Sequence, residues 1–295
     1  MYFLELKCKL ITPMFMAGAD GRTPELRPSE FKGMMRWWWR AIKAEDNIDK
    51  LRKEEAEIFG GTERGEGRSK IRIKIESKIE SSDITYYQPL PHHKRNSCPI
   101  DKQRDCRKAF TSKAIRYDKK VDIIFSFPEN LTAQMESLIY LTFTLGGFGK
   151  RSRRGFGSIE IIKPTFEINT DNLLNALNKI NNSYEINTSS FISGIQVIKN
   201  KKYHGGDYPW IREVILSKKE FDSSDDVLRL IGLASHKHRD PSLGNANPRM
   251  ASPVYVSVVK IKNKLHPIIT ILNSAFPTKD RYNIQKQKDF IKEFL

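Results

Sequence analysis

The order in which apolar periodicity changes between residues 2 and 162 constrains this chain's fold more than any other feature. Residues 2–10 alternate, with Phe3, Glu5, Lys7 and Lys9 set against Leu4, Leu6, Cys8 and Leu10, which reads as a strand with one wet face ending at Pro13. After a glycine-containing loop, Pro28 and Ser29 open a helix that runs to about Ala44, with Ser29 placed to cap it. Residues 71–75 alternate strictly and residues 123–127 form a second strand-like run, with a long basic loop over about 89–120 between them. A second helix follows Pro128, with Leu131, Met135, Leu138, Ile139 and Leu145 on one broad face, and stops at Gly146-Gly147. A strand over 158–162 comes next. Strand, helix, two strands, helix, strand is the connectivity of a ferredoxin-like (RRM-like) α+β sandwich, an antiparallel sheet with helices on one face.

That pattern closes near Pro164. The Asn-rich stretch 169–187 holds one short amphipathic helix (Leu173, Leu174, Leu177, Ile180) and has the composition of a surface connection, so the expected division is a domain over 1–165 and another over 166–295. In the second, the sequence predicts a strand over 191–198, a helix over 225–234, a hairpin of 254–261 with 265–272, and a terminal basic helix over 284–294. These elements suit a second, more degenerate ferredoxin-like unit.

Charge narrows the partners. Across 295 residues, 51 Lys and Arg against 35 Asp and Glu leave a net charge of +16, which points to a polyanion. The longest mostly apolar stretch, 138–148, falls short of the roughly 20 residues that span a bilayer. Glu5, Lys7 and Lys9 break the apolar run a signal peptide needs, so a cytoplasmic location is expected. Three cysteines are too few for a disulfide scaffold. His92, His93, Cys98 and Cys106 lack paired CxxC spacing and read as a basic surface loop, so neither metal nor cofactor is expected.

Three basic constellations carry the chemistry. Projected at 100° per residue, the first helix places Lys32, Arg36, Arg40 and Lys43 in one narrow sector, apart from the apolar sector of Phe31, Met34, Met35, Trp38, Ala41 and Ile42. Trp38 belongs to the core. Trp39 falls on the border, where it either stacks a base beside the cations or caps the core edge, and Trp37 lies on the far edge of the apolar sector. The second constellation is the run 146–157, where five glycines surround Lys150, Arg151, Arg153 and Arg154. A nucleotide-binding P-loop would need glycine at Thr144 and a hydroxyl residue at Arg151, and would run from strand to helix rather than helix to strand. The expectation is instead a flexible loop whose bare backbone N–H groups approach phosphate while its cations add charge-assisted bonds. The third is His236, Lys237, His238 and Arg239, followed by Asn245, Asn247 and Arg249, read as a basic RNA-contacting loop without the spacing of a metal site.

The segments Arg27-Pro28-Ser29-Glu30-Phe31-Lys32-Gly33-Met34-Met35-Arg36-Trp37-Trp38-Trp39-Arg40-Ala41, Glu57-Ile58-Phe59-Gly60, the Gly-rich loop, and Arg249-Met250-Ala251-Ser252-Pro253-Val254 together resemble the RAMP superfamily of CRISPR-associated proteins. Within it they are most like the first subunit of the type III-B Cmr effector complexes. The resemblance implies two ferredoxin-like domains. It also implies a non-catalytic subunit that caps a ribonucleoprotein filament near the 3′ end of the guide RNA, helps hold complementary target RNA in antiviral defence, and docks on other Cmr subunits. Carried onto this sequence, the RNA-binding candidates are Arg36, Trp39 and Arg40 with Lys150, Arg151, Arg153 and Arg154. Lys32, His236, Lys237, Arg239 and Arg249 join them from the charge pattern. Two rivals stand beside this reading. One is a metal-independent guide-RNA-processing endoribonuclease using Tyr203-His204 or His236 with Lys237, and the other is a general single-stranded RNA-binding module.

Overall fold

The first strand takes the pairing its alternation demands. β1 (Tyr2–Leu10) buries Leu4, Leu6, Cys8 and Leu10 and leaves Phe3 exposed. After it come α1 (Pro28–Lys43), α2 (Ile48–Phe59), β2 (Arg72–Ile75), β3 (Ile84–Tyr87), β4 (Ser112–Ile115), β5 (Lys120–Phe127), α3 (Thr132–Leu145) and β6 (Ile159–Lys163). The structure is a computed structural model and describes residues 1–91, 111–188, 195–201, 208–273 and 283–295. The first sheet has the order β2-β5-β1-β6 with every pairing antiparallel, which is the ferredoxin-like order. The side chains of α1 and α3 join the buried face of β1 in one core.

Several local expectations change. α1 starts at Pro28 with Arg27 before it, and no side chain caps it. Proline suits that first position because its missing N–H would have had no helical partner. α2 was not anticipated; Asn47 caps it by accepting from the Lys50 amide. The stretch expected as loop over 89–120 contains β4, which pairs with β3 as a separate hairpin. His92, His93, Cys98 and Cys106 lie outside the described residues. α3 is buried nearly all round, from Ser137 to Leu145, rather than on one broad face. It packs on β6 of the first sheet and also meets elements of the second half.

The second half comprises α4 (Thr170–Ile180), β7 (Tyr184–Thr188), β8 (Gln196–Asn200), β9 (Ile211–Leu216), α5 (Ser224–Lys237), β10 (Asn245–Ala246), β11 (Arg249–Met250), β12 (Val254–Ile261), β13 (Lys264–Leu272) and α6 (Ile284–Lys292), of which α3 meets α4, β12 and β13. α4 is not merely a surface connection. It buries Leu173, Ala176, Leu177 and Ile180 against α3, and the chain just after it reaches α1. There Asn181 donates to the carbonyls of Ile42 and Lys43 at 3.2 and 2.8 Å, and the Tyr184 hydroxyl to Ile42 at 2.9 Å, satisfying the open end of α1.

The second sheet runs β12-β13-β9-β8-β7, all antiparallel. β9, α5, β12 and β13 follow the first four steps of a ferredoxin-like unit, but the position beside β9 that a closing strand would take is filled by β8, from earlier in the chain. Of the strand expected over 191–198, residues 191–194 lie outside the described residues. β12 is buried from Val254 to Val259 and β13 from Leu265 to Leu272, because apolar cover comes from both faces. Tyr255, Val259 and Ile268 join the core containing α1 and α3, while Val256, Val258 and Ile269 join one with α5 and α6. Among the described residues no helix is long and apolar enough to cross a membrane.

Trp38 and Trp39 are 0% and 1% exposed. Each fills core volume, so Trp38→Ala and Trp39→Ala should both destabilise the fold by about 3–5 kcal/mol in chemical denaturation. A Trp39→Ala midpoint equal to wild type would contradict this packing.

Candidate nucleic-acid interface

The basic face of α1 exists as projected, but it is occupied. Arg36 and Arg40 converge on one carboxylate oxygen of Glu55 from α2, Arg40 at 2.6 Å, and Glu55 is only 4% exposed. Lys43 pairs with Glu54 at 2.7 Å. Lys32 is half-buried, and burial followed by repulsion from Arg36 pulls its pKa below the usual lysine value. Trp39 faces inward against Phe59, with the Lys43 ammonium 5.8 Å from its ring centre. It is therefore not a stacking platform. Of the two roles the border position allowed, it takes the core-edge one, because α2 covers that border. Trp37, expected on the far edge, is the half-buried ring of the three.

The Gly-rich loop departs further from expectation. Its glycine amides and several of their neighbours are spent within the chain: Phe148 donates to Gly157, Lys150 to Phe15, Arg154 to Arg151, Gly155 to Val256 and Gly157 to Pro13, all at 2.8–3.0 Å. The Gly149 amide reaches the Glu30 carboxylate on α1 at 3.2 Å. The glycines serve packing rather than close approach to phosphate. At Gly149, with φ of +83°, a Cβ would sit 2.6 Å from the Phe15 carbonyl oxygen, and at Gly157, with φ of +69°, 2.0 Å from that of Phe148.

The four loop cations divide by what they touch. Lys150 is exposed and donates to the Gly21 carbonyl at 3.1 Å. Arg151, at φ of +66°, carries a buried Nε without a hydrogen-bond partner, and burial lowers its pKa. Arg153 donates to the Ser252 carbonyl and lies over the rings of Trp37 and Tyr255, at 5.2 and 5.6 Å. Arg154 donates to the carbonyls of Val254 at 2.9 Å, Leu243 at 3.2 Å and its neighbour Arg153 at 2.8 Å, and covers the Phe290 ring at 5.1 Å. Burial, before repulsion from Arg151 and Arg153, lowers the Arg154 pKa. Arg153 and Arg154 thus bind the chain itself.

The third constellation is not a loop. His236 and Lys237 occupy the last turn of α5, and His238 follows as its cap. The Lys237 ammonium and the His238 ring both meet Glu293, at 2.7 Å each, and hold its carboxyl below the usual range. Arg239 and Arg249 are exposed, Arg249 on the β10–β11 hairpin. Tyr203 and His204 lie outside the described residues.

The family model for the RAMP superfamily matches residues 7–160, slightly more than half of the chain. The chain belongs to the RAMP superfamily. The match runs from β1 through α1 and the Gly-rich loop into β6. Over 180 residues the chain is 31% identical to CRISPR system Cmr subunit Cmr1-2 of Pyrococcus furiosus, spanning 55% of this chain and 96% of that protein. Its fold is like that of the crystal structure of Cmr1 from Pyrococcus furiosus in the apo form, with a TM-score of 0.61 and 19% identity over 94% of this chain and 89% of the other. It is also like a chain in the cryo-EM structure of the type III-B Cmr-beta complex bound to cognate target RNA, with a TM-score of 0.55 and 13% identity over 98% of both chains.

Within this RAMP chain, Glu55 and Tyr255 were missed by the sequence reading. Glu55 had a usable signal: it stands between Leu51 and Ile58 at helical spacing, a carboxylate on an apolar stripe. Tyr255 had none, since it sits in an unbroken apolar strand.

Removing the Arg154 guanidinium would take three charge-assisted bonds away and leave the Leu243 carbonyl without its donor, so Arg154→Ala should cost about 3 kcal/mol or more. Lys150→Ala should leave the thermal midpoint within experimental scatter. Equal midpoints for the two variants would overturn this division of the loop.

Proposed function

We propose that this RAMP protein is a non-catalytic RNA-binding subunit of a CRISPR type III-B (Cmr) effector complex. On this reading it caps the filament near the 3′ end of the guide RNA and helps hold complementary target RNA in antiviral defence. Its partners are then guide RNA, target RNA and the other Cmr subunits, its compartment is the cytoplasm, and its halves 1–165 and 166–295 act as two ferredoxin-like units. The observation that carries the reading is a set of cations at least partly open to solvent on α1 and on the loop bonded to it: Lys32, Arg36, Arg40, Lys150 and Arg151. All five lie inside the RAMP match. Arg153 and Arg154 position the loop, Arg239 and Arg249 add outlying charge, and His236 with Lys237, the latter paired with Glu293, stands near them at the end of α5. If a base stacks on this helix, the ring is Trp37, next to Arg153.

These groups meet phosphate and sugar rather than base edges, so the purified protein should bind single-stranded RNA of arbitrary sequence in a salt-sensitive manner. Five cations at about 0.7 per phosphate contact give a slope of log affinity against log salt of roughly −3.5. Changing Lys150 and Arg151 together to Ala should flatten it by about 1.4. An unaltered slope would remove the loop from the interface. Repeat RNA incubated with the protein in EDTA should stay intact; one defined cut would favour the endoribonuclease instead.

A further inference from the structure

Beside the Gly-rich loop lies a cleft of about 610 Å³ between the 15–23 segment, the start of β4 and residues 150–151. Four cations line it, Arg22, Lys113, Lys150 and Arg151, and no carboxylate does so among the described residues. Its lining also includes Phe15 and Pro89, both buried, the Phe15 ring packing on Phe156 beneath it. Unlike the face of α1, where Glu54 and Glu55 ion-pair with the cations, this concavity has Asp20 beside Arg22 as its nearby carboxylate, and that carboxylate is held by backbone amides rather than by an ion pair.

The cleft is held in shape by the chain. Lys150 bridges it twice, its amide donating to the Phe15 carbonyl at 3.0 Å and its ammonium to Gly21 at 3.1 Å. The Asp20 carboxylate accepts from the amides of Arg22 and Thr23 at 2.9 Å each, which fixes the turn that presents Arg22. Arg151 adds the second observation. This lining residue has a left-handed backbone and a buried Nε donor that finds no acceptor among the described residues. An unpaired buried donor is unfavourable, and an oxygen supplied by a ligand would satisfy it.

We infer that this cleft takes one nucleotide of a single RNA strand, its phosphate on Arg151, Lys150, Arg22 and Lys113 and its base against the apolar side formed with Phe15 and Pro89. The inference rests on the RNA-binding reading above and adds to it Arg22 and Lys113, which lie outside both α1 and the Gly-rich loop. Apolar lining and clustered cations together fit a nucleotide better than a bare phosphate, which has no use for the apolar side.

The test is equilibrium binding of a fluorescent 12-nucleotide RNA to the full chain. Engagement of Arg22 and Lys113 steepens the wild-type slope from about −3.5 to about −5, and Arg22→Ala with Lys113→Ala should flatten it by about 1.4 and weaken binding about tenfold or more at low salt. Both side chains are exposed, and an unchanged thermal midpoint in the double variant confirms that the fold persists. Photocrosslinking a 4-thiouridine version of the same RNA should label peptides carrying Phe15 or Ser112. Wild-type slope and affinity in the double variant, with crosslinks elsewhere, would overturn the cleft while leaving the RNA-binding reading in place. No RNA binding by the wild-type chain would overturn both. Full displacement of the RNA by millimolar AMP would assign the cleft to a free nucleotide and overturn its occupancy by a strand.

Discussion

The rest of the structure depends on the seam between the Gly-rich loop and β12. The Arg153 and Arg154 guanidinium groups take the carbonyls of Ser252, Val254 and Leu243, while the Gly155 amide donates to Val256 at 2.8 Å. Ser257 closes the other side, its hydroxyl within 2.7–2.8 Å of the carbonyls of Leu145 and Gly146 at the end of α3. A helix end leaves carbonyls unpaired, and a strand at a sheet's edge leaves one row of backbone groups unpaired. Here the Ser257 hydroxyl meets the helix end and the loop backbone at Arg153 and Gly155 meets the strand edge, which is how the first sheet's helix layer and the second sheet come to share one core. A loop able to do this must approach a strand closely, and that is the work its glycines do. At Gly155, with φ of +81°, a Cβ would stand 2.6 Å from Ile231 of α5.

One consequence is that net charge overstates the charge available to a polyanion. Of the cations on α1 and the loop, Arg36, Arg40 and Lys43 are shared with Glu55 and Glu54, and Arg153 and Arg154 are spent on carbonyls and aromatic rings. A buried guanidinium so satisfied is costly to release. The Arg36 and Arg40 side chains remain 43% and 35% exposed, so they can add a phosphate oxygen without leaving Glu55. Glu55 thereby acts as a brace that keeps two long, mobile side chains extended in one direction, reducing the entropy lost when a strand binds them.

How much was legible follows from which constraints are local. The alternation of β1, the apolar stripe of α1 and the hairpin of β12 with β13 are written in the spacing of neighbouring residues, and all three stand where the sequence put them. β3, β4 and β9 are four to six residues long and held by partners far along the chain, so nothing in their own spacing separates them from loop. The candidate site was legible in residue type and illegible in direction. A helical projection separates the sectors of α1 but cannot tell which is met by α2, and for that reason it left open whether Trp39 stacks or caps the core edge, which α2 decides for the core. The arginines of the loop read as phosphate ligands because charge is visible in sequence while a carbonyl partner a hundred residues away is not.

The same distinction bears on how the two halves act on a ligand. α1, the Gly-rich loop and the turn bearing Arg22 are tied to one another by Glu30, Phe15 and Gly21, and the loop is tied in turn to β12. A cation on any of them is therefore referenced to a rigid frame rather than to a mobile tether, the arrangement that gives precise placement of binding groups. Arg239 and Arg249 contrast with this. They stand exposed beyond the α5 cap and on a two-residue-per-strand hairpin, where a phosphate contact would have to order the side chain first. On the proposed RNA-binding reading, the frame rather than the count of cations would separate the contacts that hold a strand in register from those that merely attract it.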